Sequence, residues 1–292
     1  MSAFSILSST HQASNVFDRR RFVGPESSTP FEFPQDSDGE ALDSASNTLQ
    51  TRADGRSKTD NRPICIKVGT IFQANGSCYI ESGKNKVICA VYGPKARSTL
   101  SSSSSSSPLV ISLRFAPFCV PGGHLSSAAS ANAEAIACQL LHQSLVPSLL
   151  PMAESAFVEI HVTVLEWDGP LSAGLCTMAC SIALASASIP IVGLVIPTTL
   201  ALLPEPCIDP TASEALAASA IFDMSSIPAM QTVTHTSFRT NSDWNTGSID
   251  LDLFDQCLDQ CLKNAELLHG FAAKALQEHF QTCLTQNSGP SP

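Results

Sequence analysis

From residue 62 onward, short apolar runs alternate with polar turns, a pattern typical of a domain built from many strands. The pair Asn75-Gly76 lies between two such runs and predicts a β-hairpin turn. The next run, residues 87–92, follows a Gly-Lys-Asn-Lys turn and predicts a buried strand that ends in Gly-Pro. Further strands are predicted at 109–118, 157–168, 191–203, 219–227 and 231–239.

Three longer segments have the periodicity of helices. In the first, apolar residues recur at helical spacing from residue 136 to 145, and Pro147 and Pro151 mark its end. Residues 171–188 carry no charge and are apolar nearly all round, which predicts a buried central helix. A closing helix with one apolar face is predicted at 250–284. Together with the strands, these helices predict a layered α+β domain with mixed sheets and a C-terminal helix.

The ends of the chain differ from this pattern. The first 60 residues are polar and contain too few large aliphatic side chains to offset the entropy of ordering. We therefore predict a mostly disordered arm at 1–60, a folded domain at 61–284 and a flexible tail at 285–292. A serine run predicts a loop insertion at 98–108. In the arm, residues 17–31 combine aromatic side chains with three arginines. This cluster is either part of a solvated tail or a contact surface for RNA or for an acidic partner.

The composition argues against a generally basic, nucleic-acid-coating protein. The 292 residues have a formal net charge of −10 and a pI near 5.0, so any contact with a polyanion requires a local basic patch. Charged residues are only 14% of the chain and hydrophobic residues are 43%. This balance suits a subunit that buries surface against partners, and a large core explains it equally simply.

The eleven cysteines do not follow a disulfide or zinc pattern. Five of them, Cys65, Cys78, Cys89, Cys119 and Cys138, lie singly inside apolar runs, where cysteine behaves as a small hydrophobic residue. The pairs Cys176/Cys180 and Cys257/Cys261 have helical spacing but no histidine at ligand spacing. We therefore expect reduced, buried thiols, and we predict neither a metal site nor a cofactor.

One segment has the length of a membrane span. Residues 169–204 contain almost no charge, but Pro190 and Pro197 interrupt them and Ser, Thr and Ala are frequent. A buried helix followed by a strand is the preferred interpretation, and no membrane association is expected. The N-terminus lacks the compact apolar region of a signal peptide, while its arginines and serines leave a mitochondrial presequence open.

Motifs that identify an enzyme by themselves are missing from the sequence. It has no Gly-x-x-x-x-Gly-Lys-Ser/Thr, no Gly-x-Ser-x-Gly and no His-Glu-x-x-His. His161, on the alternating strand at 157–168, is either a general base or a surface histidine, and we prefer the second. His124, in a loop, is a weak candidate for a polar contact.

A family resemblance becomes visible in the order of the strands. RPICIKVGTIFQANGSCYIESGKNKVICAVYGP followed by LRFAPF resembles the N-terminal half of an RNase PH domain, and FVEIHVTVLEWDGPLSAGLCTMACSIALASASIPIVGLV resembles its central strand, buried helix and next strand. The resemblance covers residues 60–282 and implies the ribosomal protein S5 domain 2-like fold. DRRRFVGPES and IDPTASEALAASA resemble segments of one type of eukaryotic RNA exosome ring subunit, the messenger-RNA-transport-three type. The serine insertion suggests a divergent fungal version.

The resemblance also indicates which residues an active enzyme of this family needs. Active members of the family cut RNA from the 3′ end with inorganic phosphate, which requires cations around the phosphate and carboxylates that assist transfer. The resemblance implies a phosphate-binding arginine in the turn that enters the first helix, but residues 121–135 contain neither Arg nor Lys. The two aspartates of active members fall near Ala215 and Ile221, although Glu214 and Asp223 are close. These departures imply a chain that is not an enzyme, and an active phosphorolytic exoribonuclease is the alternative.

Contact with RNA is the remaining implication. In rings of this family, the loop after the Tyr-Gly-Pro strand points towards the central pore, where cations grip the passing RNA. The resemblance therefore implies RNA contacts by five cations, namely Lys95, Arg97, Arg114, Lys84 and Lys86. Without the resemblance, these would be ordinary solvated loop cations. A ring scaffold with no RNA contact is the second alternative.

The implied partners are the other RNase PH-like ring subunits in a hetero-hexamer, cap subunits with S1 and KH domains, the RNA substrate and an associated hydrolytic nuclease. The implied process is 3′-to-5′ processing and degradation of rRNA, snRNA, snoRNA and mRNA. We expect the protein in the nucleus and nucleolus and also in the cytoplasm.

Overall fold

Two β-sheets and four α-helices are present in the computed structural model, which describes residues 52, 54–96, 107–119, 127–153, 156–168, 174–203, 205–240 and 251–287. The basic-aromatic cluster at 17–31, Arg97 and His124 lie outside these residues. So do the serine run and most of the predicted arm. The predicted boundaries of the arm, the insertion and the tail therefore stay predictions.

The first sheet has five strands in the order β1-β2-β3-β5-β4. They are β1 (Ile64–Val68), β2 (Gly76–Ser82), β3 (Asn85–Ala96), β4 (Leu109–Phe115) and β5 (Ala156–Glu166). Neighbouring strands are antiparallel except β4 and β5, which run parallel. Side chains alternate between two faces of a sheet, and here the apolar residues fall on one face and most of the polar residues on the other.

The hairpin turn predicted at Asn75-Gly76 is wrong in position. β1 and β2 do pair, but residues 69–75 connect them and Gly76 is the first residue of β2. A Cβ at Gly76 would lie 2.3 Å from the carbonyl oxygen of Ala183, so glycine is needed where a helix crosses the strand. The tight turn is Gly83-Lys84, between β2 and β3, where Gly83 has φ +56°.

The second sheet has four antiparallel strands in the order β7-β6-β8-β9. They are β6 (Ile196–Leu202), β7 (Cys207–Ile208), β8 (Ala220–Ile227) and β9 (Thr232–Thr240). The strands predicted at 219–227 and 231–239 are confirmed, and they pair as an antiparallel hairpin. The strand predicted at 191–203 begins later, at Ile196, and the short β7 was not predicted.

The helices are α1 (Ser127–Leu145), α2 (Gly174–Ser186), α3 (Ala212–Ala217) and α4 (Leu251–Asn287). Residues 176–184 of α2 are all buried, which confirms the prediction of a central helix. α2 packs on the apolar face of the first sheet, and α4 packs on the second sheet. None of the helices in the described part of the chain has both the length and the apolarity of a membrane span.

The cysteines mostly contribute to the core. Eight are buried, and burial raises the pKa of the Cys261 thiol to about 12, so this group stays protonated at neutral pH. Cys65 is exposed, contrary to the prediction for a residue in an apolar run, because it lies on the solvent side of the outermost strand. Within the described ranges, no group of His, Cys, Asp and Glu side chains is arranged to hold a metal ion.

Candidate functional site

The predicted basic loop begins at the end of β3, where Lys95 faces β5. Its Nζ donates to Glu159 Oε2 at 2.5 Å and lies 5.4 Å from the ring centroid of Tyr92. The lysine side chain is 45% exposed, so this ion pair is open to solvent. Arg97, the second predicted cation of this loop, lies outside the described residues.

Glu159 links Lys95 to a histidine two residues further along β5. The Nε2 atom of His161 is 3.3 Å from Glu159 Oε1, and the His161 ring meets the edge of Tyr92 at a centroid distance of 5.7 Å. The hydrogen bond and charge of Lys95, followed by the charge of His161, lower the pKa of Glu159 and keep it ionised. His161 is exposed, as expected for a surface histidine.

The other predicted cations are spread over the same sheet. Lys86 donates to Glu166 at 2.6 Å, and Lys84 is exposed in the turn before β3. Lys86 and Lys95 are nine residues apart on one strand, which separates them by roughly 30 Å. Arg114 is exposed on β4 opposite Thr163, and it has no acidic partner within 4.0 Å among the residues that the structure describes. The four of these predicted residues that the structure describes therefore do not form one compact patch.

A second charged region lies where the chain enters the domain. The Nε and Nη2 atoms of Arg52 donate to the two carboxylate oxygens of Glu214, at 2.8 and 2.7 Å. Arg52 also donates to the backbone oxygens of Ile208 and Asp209. Glu214 accepts from the Thr211 backbone N–H, while the Thr211 hydroxyl accepts from the Glu214 N–H, so this pair caps α3.

Asp209 is held by two further arginines. Arg62 donates to it through Nε at 2.9 Å and Nη2 at 2.5 Å, and Arg56 approaches at 3.5 Å. Burial alone would raise the pKa of Asp209, but the hydrogen bonds and charge of Arg62, aided by Arg56, lower it below its ordinary value. The Asp209 carboxylate is therefore ionised, and both of its oxygens are already engaged by arginine side chains that hold the fold together.

The carboxylate of Asp223 is also engaged. It accepts from the Thr199 hydroxyl at 2.8 Å and from Nη2 of Arg239 at 2.6 Å. Beside it, a small cleft between α1, α2 and the second sheet is lined by His235 and Ser237. Ala215 is buried and Ile221 is partly buried, at the two positions where the resemblance expects catalytic aspartates.

The sequences that enter α1 and α2 supply no cation for a phosphate. The sequence entering α1, residues 121–135, and the sequence entering α2, residues 169–173, contain neither Arg nor Lys. A phosphate dianion is bound strongly by guanidinium or ammonium groups and only weakly by neutral hydroxyls. This arrangement is suited to holding the fold together and poorly suited to holding a reactive phosphate.

Comparison with known proteins supports the family resemblance that the order of strands and helices indicated. Residues 60–190 match the 3′ exoribonuclease family, domain 1. Over these residues, the chain is similar to the RNase PH family. The solved structure of rice Rrp46 shares the fold, with a TM-score of 0.61 and 20% identity over 77% of this chain and 100% of the rice chain. The layered α+β architecture predicted from the sequence is thus the RNase PH domain.

Two relatives differ in how much of their sequence aligns with this chain. The exosome complex component mtr3 of Schizosaccharomyces pombe is 29% identical over 260 residues, covering 85% of this chain and 91% of the relative. The exosome complex component Rrp41 of Pyrococcus horikoshii is 38% identical over 150 residues. That alignment covers 49% of this chain and only 57% of the archaeal protein. Likeness across nearly the whole chain therefore favours the mtr3 type.

The arginine cluster around Asp209 and Glu214 was not predicted from the sequence. Arg52, Arg56 and Arg62 precede the first strand, and their carboxylate partners follow about 150 residues later. Three arginines close together in a polar segment were a visible signal. Their partners could not be assigned, because contacts between distant segments depend on the packing of the whole domain.

Proposed function

We propose that this chain is a non-catalytic ring subunit of the RNA exosome that contributes contacts to RNA in the central channel. The likeness to mtr3 over 85% of the chain supports ring membership, since that relative is an exosome complex component. The proposed partners are other RNase PH-like ring subunits in a hetero-hexamer, S1/KH cap subunits, RNA and an associated hydrolytic nuclease. The proposed role is support of 3′-to-5′ RNA processing and degradation.

The state of the carboxylates supports the absence of catalysis. Asp209, Glu214 and Asp223 are each bonded to arginine, and alanine and isoleucine occupy the expected aspartate positions. A carboxylate that is already paired cannot easily assist transfer or bind a metal ion, since it would first have to lose its arginine. The absence of Arg and Lys before α1 and α2 removes the second requirement.

An assay with RNA and inorganic phosphate tests this part directly. The purified chain, alone and in the assembled ring, should release no nucleoside diphosphates. Release that disappears in an Asp223→Ala or Asp209→Ala variant that still folds would establish the alternative, an active phosphorolytic exoribonuclease. Release that persists in both variants would point to a neighbouring subunit.

RNA contact by the β3 cations is tested in the assembled ring. Lys95→Glu combined with Arg97→Glu should weaken protection of threaded RNA without changing subunit stoichiometry, because each lost phosphate contact removes counterion release. The pairing of Lys95 with Glu159 and of Lys86 with Glu166 favours the other possibility, a ring scaffold without RNA contact. Unchanged protection, together with RNA crosslinks confined to neighbouring subunits, would select the scaffold.

Partners and location are tested by purification from the native organism. The tagged chain should bring down the remaining ring and cap subunits in equal amounts, and the complex should be present in nucleus, nucleolus and cytoplasm. Recovery as a free monomer from every fraction would contradict ring membership.

A further inference from the structure

The first sheet has an outer face, opposite α2, on which rings and cations occur together. Its members at the β3, β5 and β4 strands include Tyr92, His161, Lys95 and Arg114. We propose that this outer face binds single-stranded RNA, with bases stacked on Tyr92 and His161 and phosphates held by Lys95 and Arg114. The proposal rests on the proposed RNA contact and names its surface and chemistry.

The two rings are in contact but are not stacked face to face. Tyr92 and His161 meet edge to face, at 72° and with centroids 5.7 Å apart, so their planes are not stacked together. In the strand register, Ala90 and Ser112 lie on either side of His161, and these small side chains leave room above the sheet. His161 is exposed and Tyr92 is half-buried. Bases of any sequence can stack on ring faces that solvent reaches, which is how many proteins hold single strands without sequence preference.

The cations flank these rings. Lys95 lies over the Tyr92 ring, and its side chain is 45% exposed. Arg114 is exposed two residues beyond Ser112 on β4, which places its Cα about 7 Å along the strand from that of Ser112. A ring next to a positive charge suits a nucleotide, since the base can stack while its phosphate pairs. An acidic protein segment would pair with the cations of this surface but would make no use of its rings.

Glu159 acts on this surface as a built-in competitor for RNA. Its carboxylate accepts the Lys95 hydrogen bond and approaches His161. Exposed ion pairs of this kind contribute little free energy, so a phosphate can replace Glu159 at modest cost. Removal of the Glu159 charge should therefore strengthen RNA binding.

Two probes separate stacking from charge, in fluorescence anisotropy with the full-length chain. One is a labelled uridine dodecamer, and the other is an abasic dodecamer with the same sugar-phosphate backbone. The uridine strand should bind about tenfold more tightly, because only its bases can stack. Tyr92→Leu and, separately, His161→Ala should lower that preference severalfold while leaving abasic binding nearly unchanged. Phe271→Leu, which removes an exposed ring on α4, should change neither.

Two matched substitutions test the contribution of charge to RNA binding. Glu159→Gln should tighten binding of both strands severalfold, because it frees Lys95. Glu205→Gln makes the same charge change at the exposed Lys58–Glu205 pair near β7 and should have no such effect. Equal gains from both variants would reduce the effect to net charge and overturn the role assigned to Glu159.

The outcomes distinguish this inference from the proposed function. Equal affinity for uridine and abasic strands, with Tyr92→Leu and His161→Ala silent, would overturn base stacking, and the same surface would then bind any acidic polymer through charge. Loss of RNA protection by the Lys95/Arg97 charge reversal would still uphold the proposed channel contact. If no substitution alters either binding or protection, both fail. Thermal unfolding of Tyr92→Leu and His161→Ala confirms that each variant is folded.

Discussion

Ion pairs of similar chemistry occur in two regions of this chain, with opposite degrees of burial. At the Asp-Pro-Thr segment, the Arg52 and Arg62 side chains are 4% and 8% exposed. On the first sheet, the Lys86 and Lys95 side chains are 36% and 45% exposed. In the first region, removal of one partner leaves the other charge buried and unpaired. In the second region, solvent or a ligand can replace the missing partner.

The choice of cation follows this difference. Each buried arginine binds its carboxylate through two N–H groups and has N–H groups left for backbone carbonyls such as those of Ile208 and Asp168. The planar guanidinium meets several fixed acceptors at once, which a lysine ammonium does less well. The exposed lysines each make one bond to a carboxylate that solvent also reaches. We infer that the first region fixes the fold and that the second remains available for binding.

The largest expected effect comes from breaking the buried region. Arg62→Met should lower the free energy of unfolding by about 3–5 kcal/mol, because Asp209 loses its main partner while mostly buried. Urea unfolding followed by circular dichroism measures the change. Lys58→Met, in the more exposed pair with Glu205, is the matched control and should cost less than about 1 kcal/mol. Similar losses in both variants would remove the distinction between the two regions.

A conservative change tests whether geometry or charge matters more. Arg52→Lys keeps the charge but cannot supply the two parallel bonds to Glu214 together with those to Ile208 and Asp209. The expected loss is about 1.5–3 kcal/mol, the range for hydrogen bonds to charged groups. The exchange Lys86→Arg, on the exposed sheet, should be almost neutral by the same unfolding measurement. A neutral Arg52→Lys variant would show that charge alone is sufficient.

Acid should weaken the buried region selectively. Burial opposes ionisation of Glu214, but the Arg52 hydrogen bond and the Thr211 N–H outweigh it, so its pKa is lowered, as is that of Asp209. Because these pKa values are lower in the folded than in the unfolded chain, the stabilisation is complete above the ordinary carboxyl range. It is lost as the pH falls below that range, through the folded-state values.

Urea midpoints measured from pH 6 to pH 3 follow this loss. Asp209→Asn should be less stable than the parent at pH 6, and the difference should begin to narrow as the pH falls below the ordinary carboxyl range, where the parent carboxylate starts to take up a proton. A difference that stays constant with pH would mean that Asp209 contributes by shape and hydrogen bonding rather than by charge.

The smallest expected effect is on the exposed sheet. Lys86→Met should change the free energy of unfolding very little, since its pair with Glu166 is well hydrated. Raising the salt concentration should reduce even this difference, because exposed charges are screened. A larger, salt-independent loss would show that Lys86 belongs with the structural ion pairs.

Secondary structure was readable where the local pattern and the packing agree. The alternation in β5 and the apolar circumference of α2 both predicted their burial, because a face that must meet the core has to be apolar throughout. The turn predicted at Asn75-Gly76 was wrong, because Gly76 is required by the close approach of a helix to β2 and not by a turn. The alternation could not show that β5 lies between β3 and β4.

The sequence by itself determined the order of the long strands and helices, the buried central helix and the family that this order resembles. It also determined that no cation precedes α1 or α2 and that Ala215 and Ile221 stand where aspartates are expected. Only the tertiary structure decided which charges are neutralised. Arg52 meets Glu214, and Lys95 meets Glu159, across separations of 162 and 64 residues. A side chain's local sequence sets its charge, whereas its partner and its access to water depend on segments brought together by the packing of the whole domain.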